Sequence, residues 1–83
     1  MEIKQTWEKV IEYATMPLHG SLSRKQRKGV KIQINEGAIY EGATFFLEEL
    51  VLCVSETSDG FVNNTYYDWT KISSIRTISN DEK

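Results

Sequence analysis

Arg24, Lys25, Arg27 and Lys28 crowd into five consecutive positions and form the densest concentration of charge in the chain. Clustered guanidinium and ammonium groups hold phosphates by charge and counterion release, which needs no strict geometry. The bland alternative for the same residues is a solvated connection beside a helix. A second group, Tyr66, Tyr67 and Trp69, offers the flat π-faces on which unpaired bases stack. Aromatics spaced this way along a strand serve equally well to fill a core or a subunit interface. Other chemistry is thinly supplied. His19 is the single histidine and Cys53 the single cysteine. Cys53 lies inside the apolar run Leu50-Val51-Leu52-Cys53-Val54, which predicts a small buried hydrophobe and not an exposed nucleophile in an electropositive setting. One histidine with one cysteine is too few ligands for a metal. Glu48 and Glu49 read as a solvated turn. No phosphate-cradling loop is present, since Gly37 and Gly42 flank strands and no lysine-serine or lysine-threonine pair follows them. The expectation is a protein that is not an enzyme and uses neither a cofactor nor a metal.

With 83 residues, 40% of them hydrophobic, the chain has the size of one small domain. A core of that size is marginal on its own, so assembly into a homo-oligomer is expected. The formal charge of -2 gives no overall attraction to nucleic acid or anionic membrane. The basic cluster is then a patch on a mildly acidic surface. A single cysteine rules out a disulfide within the chain. No run approaches the roughly 18 apolar residues of a membrane span, and no basic segment followed by an apolar one opens the chain. A cytoplasmic location without membrane attachment is therefore expected. Asn63-Asn64-Thr65 matches a glycosylation acceptor, but without a secretion signal the match carries no meaning.

The elements that must position these residues follow from hydrophobic period. Ile3, Trp7, Val10, Ile11 and Ala14 share one face of an α-helix spanning residues 2–16, which Pro17 stops by disfavouring helical geometry at Met16. Residues 17–29 read as a connection that carries the basic cluster. Val30, Ile32 and Ile34 alternate with Lys31, Gln33 and Asn35, the pattern of a first strand buried on one face. The turn Asn35-Glu36-Gly37 follows. Residues 38–47 make a second strand bent near Gly42, where a missing side chain marks a bend or bulge. Residues 50–55 make a third strand buried on both faces. Asp59-Gly60 tolerates left-handed backbone and leads into a fourth strand from Phe61 to Tyr67 or Trp69. A short turn near Trp69 to Lys71 precedes a fifth strand containing Ile75 and Ile78, and the tail from Asn80 to Lys83 should fray. One amphipathic helix followed by five short strands is a mainly β fold, a small, strongly bent five-stranded barrel of SH3-like or Sm-like type over residues 30–79, with the helix plugging an open end.

The run from Val30 to Val54 resembles the first motif of the Sm-like proteins, most closely the bacterial Hfq-type RNA chaperones. Gly37 and Gly42 match the two family glycines, and Glu48 falls where the family usually has an aspartate. Arg24-Lys25-Gln26-Arg27 is similar to the arginine-rich patch before the family's first strand, and Ile72-Ser73-Ser74-Ile75 to its closing strand. The chain departs from the family at its RNA pockets. Trp69 and Thr70 stand in place of a pore Lys-His pair, Leu50 in place of a stacking aromatic, and Gln33 in place of an adenine-contacting aromatic. The resemblance implies a barrel and a ring of protomers.

Two functional expectations stand side by side. In one, a non-enzymatic, homo-oligomeric small barrel binds RNA or another polyanion through Arg24, Lys25, Arg27 and Lys28, its protomers joined by pairing the fourth strand of one with the fifth of the next. In the other, an SH3-like scaffolding module holds a protein partner on Tyr66, Tyr67 and Trp69 and has no nucleic-acid role.

Overall fold

A computed structural model describes residues 3–18 and 23–79. The expected frayed tail and His19 lie outside them. The amphipathic helix forms as α1, Ile3–Ala14, and lays Ile11 and Ala14 into the core, while half-buried Trp7 donates its indole N–H to the Ile72 carbonyl at 3.1 Å. The helix ends at Ala14, two residues before the expected stop. Met16 precedes a proline and avoids helical angles. The Thr15 hydroxyl folds back to donate to the Ile11 carbonyl at 2.6 Å, a local bond that competes with continued helix. The residues freed by that early stop become a strand, β1, Thr15–Pro17.

The segment expected to be a bare connection also holds a strand. β2, Ser23–Gln26, pairs antiparallel with β1 on one side and with the strand at Thr44–Leu47 on the other. Its sequence, Ser-Arg-Lys-Gln, has no apolar alternation, so nothing in its period marks it; partners on either side impose the extended form. The remaining strands follow the alternation. β3, Val30–Ile34, turns Ile32 and Ile34 into the core and leaves Lys31 exposed. The predicted second strand is interrupted at Glu41-Gly42-Ala43 into β4, Ile39–Tyr40, and β5, Thr44–Leu47. β6, Val51–Ser58, buries Leu52, Cys53 and Val54, and Asp59-Gly60, both at positive φ, joins it to β7, Phe61–Asp68. Two such residues in a two-residue loop match the right-handed twist of a hairpin. A 3-10 turn, Trp69–Lys71, precedes β8, Ile75–Ser79.

These eight strands, where five were expected, form two antiparallel sheets, β1-β2-β5-β6-β7 and β4-β3-β8, that do not close into a barrel; β1 and β2 arise in the expected helix end and connection, and the expected second strand is divided at Gly42. The interruption at Gly42, with φ of 73°, lets one stretch of chain serve both: β4 pairs with β3, and β5 with β2 and β6. The core between the sheets and the helix holds Ile11, Ile32, Ile34, Tyr40, Phe45, Leu52, Val54, Trp69 and Ile72. At the far end of β3, Asn35 (φ 63°) accepts from the Ser73 and Ser74 N–H groups and donates to the Lys71 carbonyl, which fixes where β8 begins. The other left-handed residue of that turn is Glu36; Gly37 itself is not in the left-handed region. Among the described residues no helix is long and apolar enough to cross a membrane.

Candidate functional site

β2 places the four cations. Strand alternation sends Arg24 toward the core face, beside α1, and Lys25 to the opposite face. The Arg24 guanidinium donates through Nε to Thr15 Oγ1 at 2.7 Å and through Nη2 to the Glu12 and Thr15 carbonyls at 3.3 Å each. Arg27 donates through Nε to the Tyr13 carbonyl at 2.9 Å, and its backbone N–H to the Ala14 carbonyl at 3.0 Å. Two arginines thus satisfy the orphan carbonyls at the C-terminus of α1, where the helix dipole favours cations. Lys25 Nζ donates to the Gly42 carbonyl at 2.7 Å, on the interruption between the sheets. Lys28 is exposed in the turn entering β3. Hydrogen bonds to carbonyls orient a cation without neutralising it. Among the described residues one ion pair forms within 4.0 Å, Lys4 with Glu8 on α1, and it lies outside the cluster.

Between Lys25 and Arg27, Gln26 points inward. Only 4% exposed, it donates through Nε2 to the Val30 and Tyr40 carbonyls at 2.6 and 2.7 Å and accepts at Oε1 from the Ala43 N–H at 3.0 Å. It fastens the cluster's strand to β3, β4 and the Gly42 interruption. A glutamine among arginines and lysines reads as one more solvated residue, so sequence reasoning missed it; its position on the core side of a strand was the missing signal.

The three aromatics are not brought together. Trp69 is 2% exposed in the core and donates its indole N–H to the Glu48 carbonyl at 2.9 Å, so its ring offers no free face. Tyr67 is half-buried, its hydroxyl 2.7 Å from that of Tyr40, and burial together with this bond raises its pKa. Tyr66 is 64% exposed. Leu50, at 77%, borders an open cleft with Lys4, Glu49, Asp68 and Thr70, where the Lys4 ammonium stands 5.9 Å from the Trp69 ring centre. No known family model, curated protein or solved structure matches this chain. Its function has to be read from these residues.

Cys53 is buried, and burial pushes its thiol above the ordinary value, only partly offset by a hydrogen bond with Tyr66. A thiol so placed stays protonated at neutral pH and is a poor nucleophile. Among the described residues no three histidine, cysteine or carboxylate side chains gather to hold a metal ion. Asp68 caps the 3-10 turn: its Oδ1 accepts from the Thr70 hydroxyl at 2.8 Å and the Thr70 N–H at 2.9 Å, which holds its carboxyl below the usual range.

Proposed function

We propose that this chain is a non-enzymatic small barrel of Sm-like type that binds RNA or another polyanion on the cations of β2 and the turn behind it. What supports a barrel-like arrangement is the chain path: β4 continues through Gly42 into β5, so one length of chain links the two sheets, and α1 packs against their shared core. The observation that carries the binding reading is the uncompensated charge of a rigidly held cluster. Arg24, Lys25 and Arg27 are each anchored by carbonyls, and among the described residues none has a carboxylate within 4.0 Å. A phosphate chain would therefore meet side chains already ordered, at little ordering cost.

Lys25 and Lys28 separate binding from folding, because neither caps the helix. If four cations each neutralise a phosphate of single-stranded RNA, affinity falls about 50-fold between 50 and 200 mM salt; with two it falls about 7-fold. Fluorescence anisotropy of a labelled single-stranded RNA should show that change in slope between wild type and the Lys25→Gln/Lys28→Gln double variant. Equal slopes, or no binding by wild type at the lower salt, would remove the reading.

A second reading is favoured by β7. It ends the larger sheet, is exposed from Phe61 through Tyr66, and carries no lysine, arginine or proline. Proteins usually blunt an edge of this length with such residues. β1, the opposite edge, is three residues long and contains Pro17. An unguarded edge of eight residues suits strand addition by a polypeptide, which would make the protein an interaction module.

A further inference from the structure

We propose that β7 pairs with β7 of a second copy across a two-fold axis centred on Asn64. The inference rests on the sheet-edge reading, gives it a partner, and is independent of polyanion binding.

Cross-strand partners fix which way each β7 side chain faces. Tyr67 and Thr65 stand opposite Leu52 and Val54, both fully buried, so Phe61, Asn63, Thr65 and Tyr67 lie on the core side of the sheet. Val62, Asn64, Tyr66 and Asp68 lie on the outer side, opposite Thr57, Ser55, Cys53 and Val51. When two antiparallel strands meet about a two-fold axis, directly opposed residues share a face, so only registers that pair odd with odd and even with even numbers keep a continuous sheet.

Of those registers, the one centred on Asn64 sets Phe61 opposite Tyr67 on the core side and Val62 opposite Tyr66 on the outer side. Asn63 then meets Thr65, and Asn64 meets its own copy. Each pair occurs twice. The exposed apolar residues of β7 are Phe61 at 70%, Val62 at 62% and Tyr66 at 64%. All three gain an aromatic or β-branched neighbour, the pairs that stabilise sheets most. Moving the centre to Asn63 sets Phe61 against Thr65 and Val62 against Asn64. Moving it to Thr65 sets Val62 against Asp68 and Tyr66 against Asn64. The first keeps only the Phe61–Thr65 pair and leaves Val62 on Asn64 and Tyr66 on Gly60; the second sets both Val62 and Tyr66 on polar partners.

Charge agrees. Asp68 is the one ionisable carboxylate or cation in the strand, and the Asn64 register carries it beyond the paired segment, opposite Gly60. No like charges face each other. The strand is thus self-complementary about Asn64: apolar at one end, aromatic at the other, small and polar between. β8 is a weaker partner, with five residues against eight and an exposed Arg76. Pairing would also support the outer part of the β6–β7 hairpin, where residues 57–62 are exposed and a two-stranded ribbon is marginal in water.

The central residue makes the test. Light scattering over a concentration series should rise for wild type toward twice the 9.6 kDa of one chain. Asn64→Lys puts two ammonium groups directly opposite one another and should hold the mass at one chain. Its circular dichroism spectrum should be unchanged, because Asn64 is exposed. Asn64→Cys should form a disulfide-linked dimer under mild oxidation, since opposed Cα atoms about 4.5–5.5 Å apart suit a disulfide. Thr57→Cys, one strand further in, should not. A wild type that stays monomeric at every concentration, or a dimer that survives Asn64→Lys, overturns the proposal. Cross-linking of Asn64→Cys/Thr77→Cys as a mixed 64–77 pair, without the 64–64 product, overturns it in favour of β7 on β8 and leaves the sheet-edge reading standing.

Discussion

Replacing Gln26 by methionine, of similar length and shape but without polar atoms, should cost more stability than any other single polar change in the cluster. It deletes three hydrogen bonds at once. The Tyr40 carbonyl and the Ala43 N–H lose their side-chain partner in buried surroundings, and the Val30 carbonyl in partly buried ones. An orphaned buried polar group costs about 1–3 kcal/mol, and water can reach the Val30 carbonyl, so the two buried groups bring the total to about 2–6 kcal/mol. A chain of this length is held by about 4–12 kcal/mol, which makes that loss a large share of the whole. Urea unfolding followed by the fluorescence of Trp7 and Trp69 reads it directly, with m unchanged if the native fold survives. The internal control is Gln33→Met. Gln33 makes one exposed bond, to the Gly37 carbonyl at 3.0 Å. Its loss should stay below about 1 kcal/mol. If the two variants lose the same amount, or if Gln26→Met falls below that same bound of about 1 kcal/mol, Gln26 does not clamp the sheets and the placement of β2 against the Gly42 interruption is wrong.

The two glycines should part company. Gly42 has φ of 73° and open space where a Cβ would go. Gly42→Ala therefore suffers backbone strain alone, about 1–2 kcal/mol. Gly37→Ala would meet the Ile34 carbonyl at an ordinary 3.5 Å without left-handed strain. That change should be neutral or slightly stabilising. Thermal melts that rank them the other way would contradict the bend. Asp68 sets an acid dependence. Its folded pKa lies below its unfolded one. Its capping contribution is therefore complete above about pH 4 and fades as pH falls through the folded value. Asp68→Asn keeps an acceptor but not the charge; its stability deficit should shrink toward about pH 2, and a deficit constant with pH would refute the cap.

Local physics made much of the fold legible. The period of α1, the alternation of Val30, Ile32 and Ile34, the Asp59-Gly60 hairpin and the short turn before β8 each depend on residues within a few positions, and all are present. The proline stopped the helix as expected, though at Ala14, because Thr15 could bond back to Ile11. What failed depended on distant partners. Ser23 to Gln26 has no strand pattern; it is extended because β1 and β5 flank it. The missing side chain at Gly42 marks a bend, but that the bend divides one strand between two sheets follows from which neighbours the two halves find.

The candidate residues divide along the same line. Sequence by itself determined that cations cluster at residues 24 to 28, that Cys53 is buried, and that aromatics gather at the end of β7, because composition and apolar run length are properties of the chain. Only the tertiary structure decided what each side chain does. Arg24 and Arg27 turn to the C-terminus of α1, Gln26 turns inward, Trp69 enters the core and Tyr66 stays outside, since hydrogen-bond partners and burial are set by segments far away along the chain. A polar side chain has no period to betray its partner; its role is fixed when the fold brings a carbonyl or an N–H within reach.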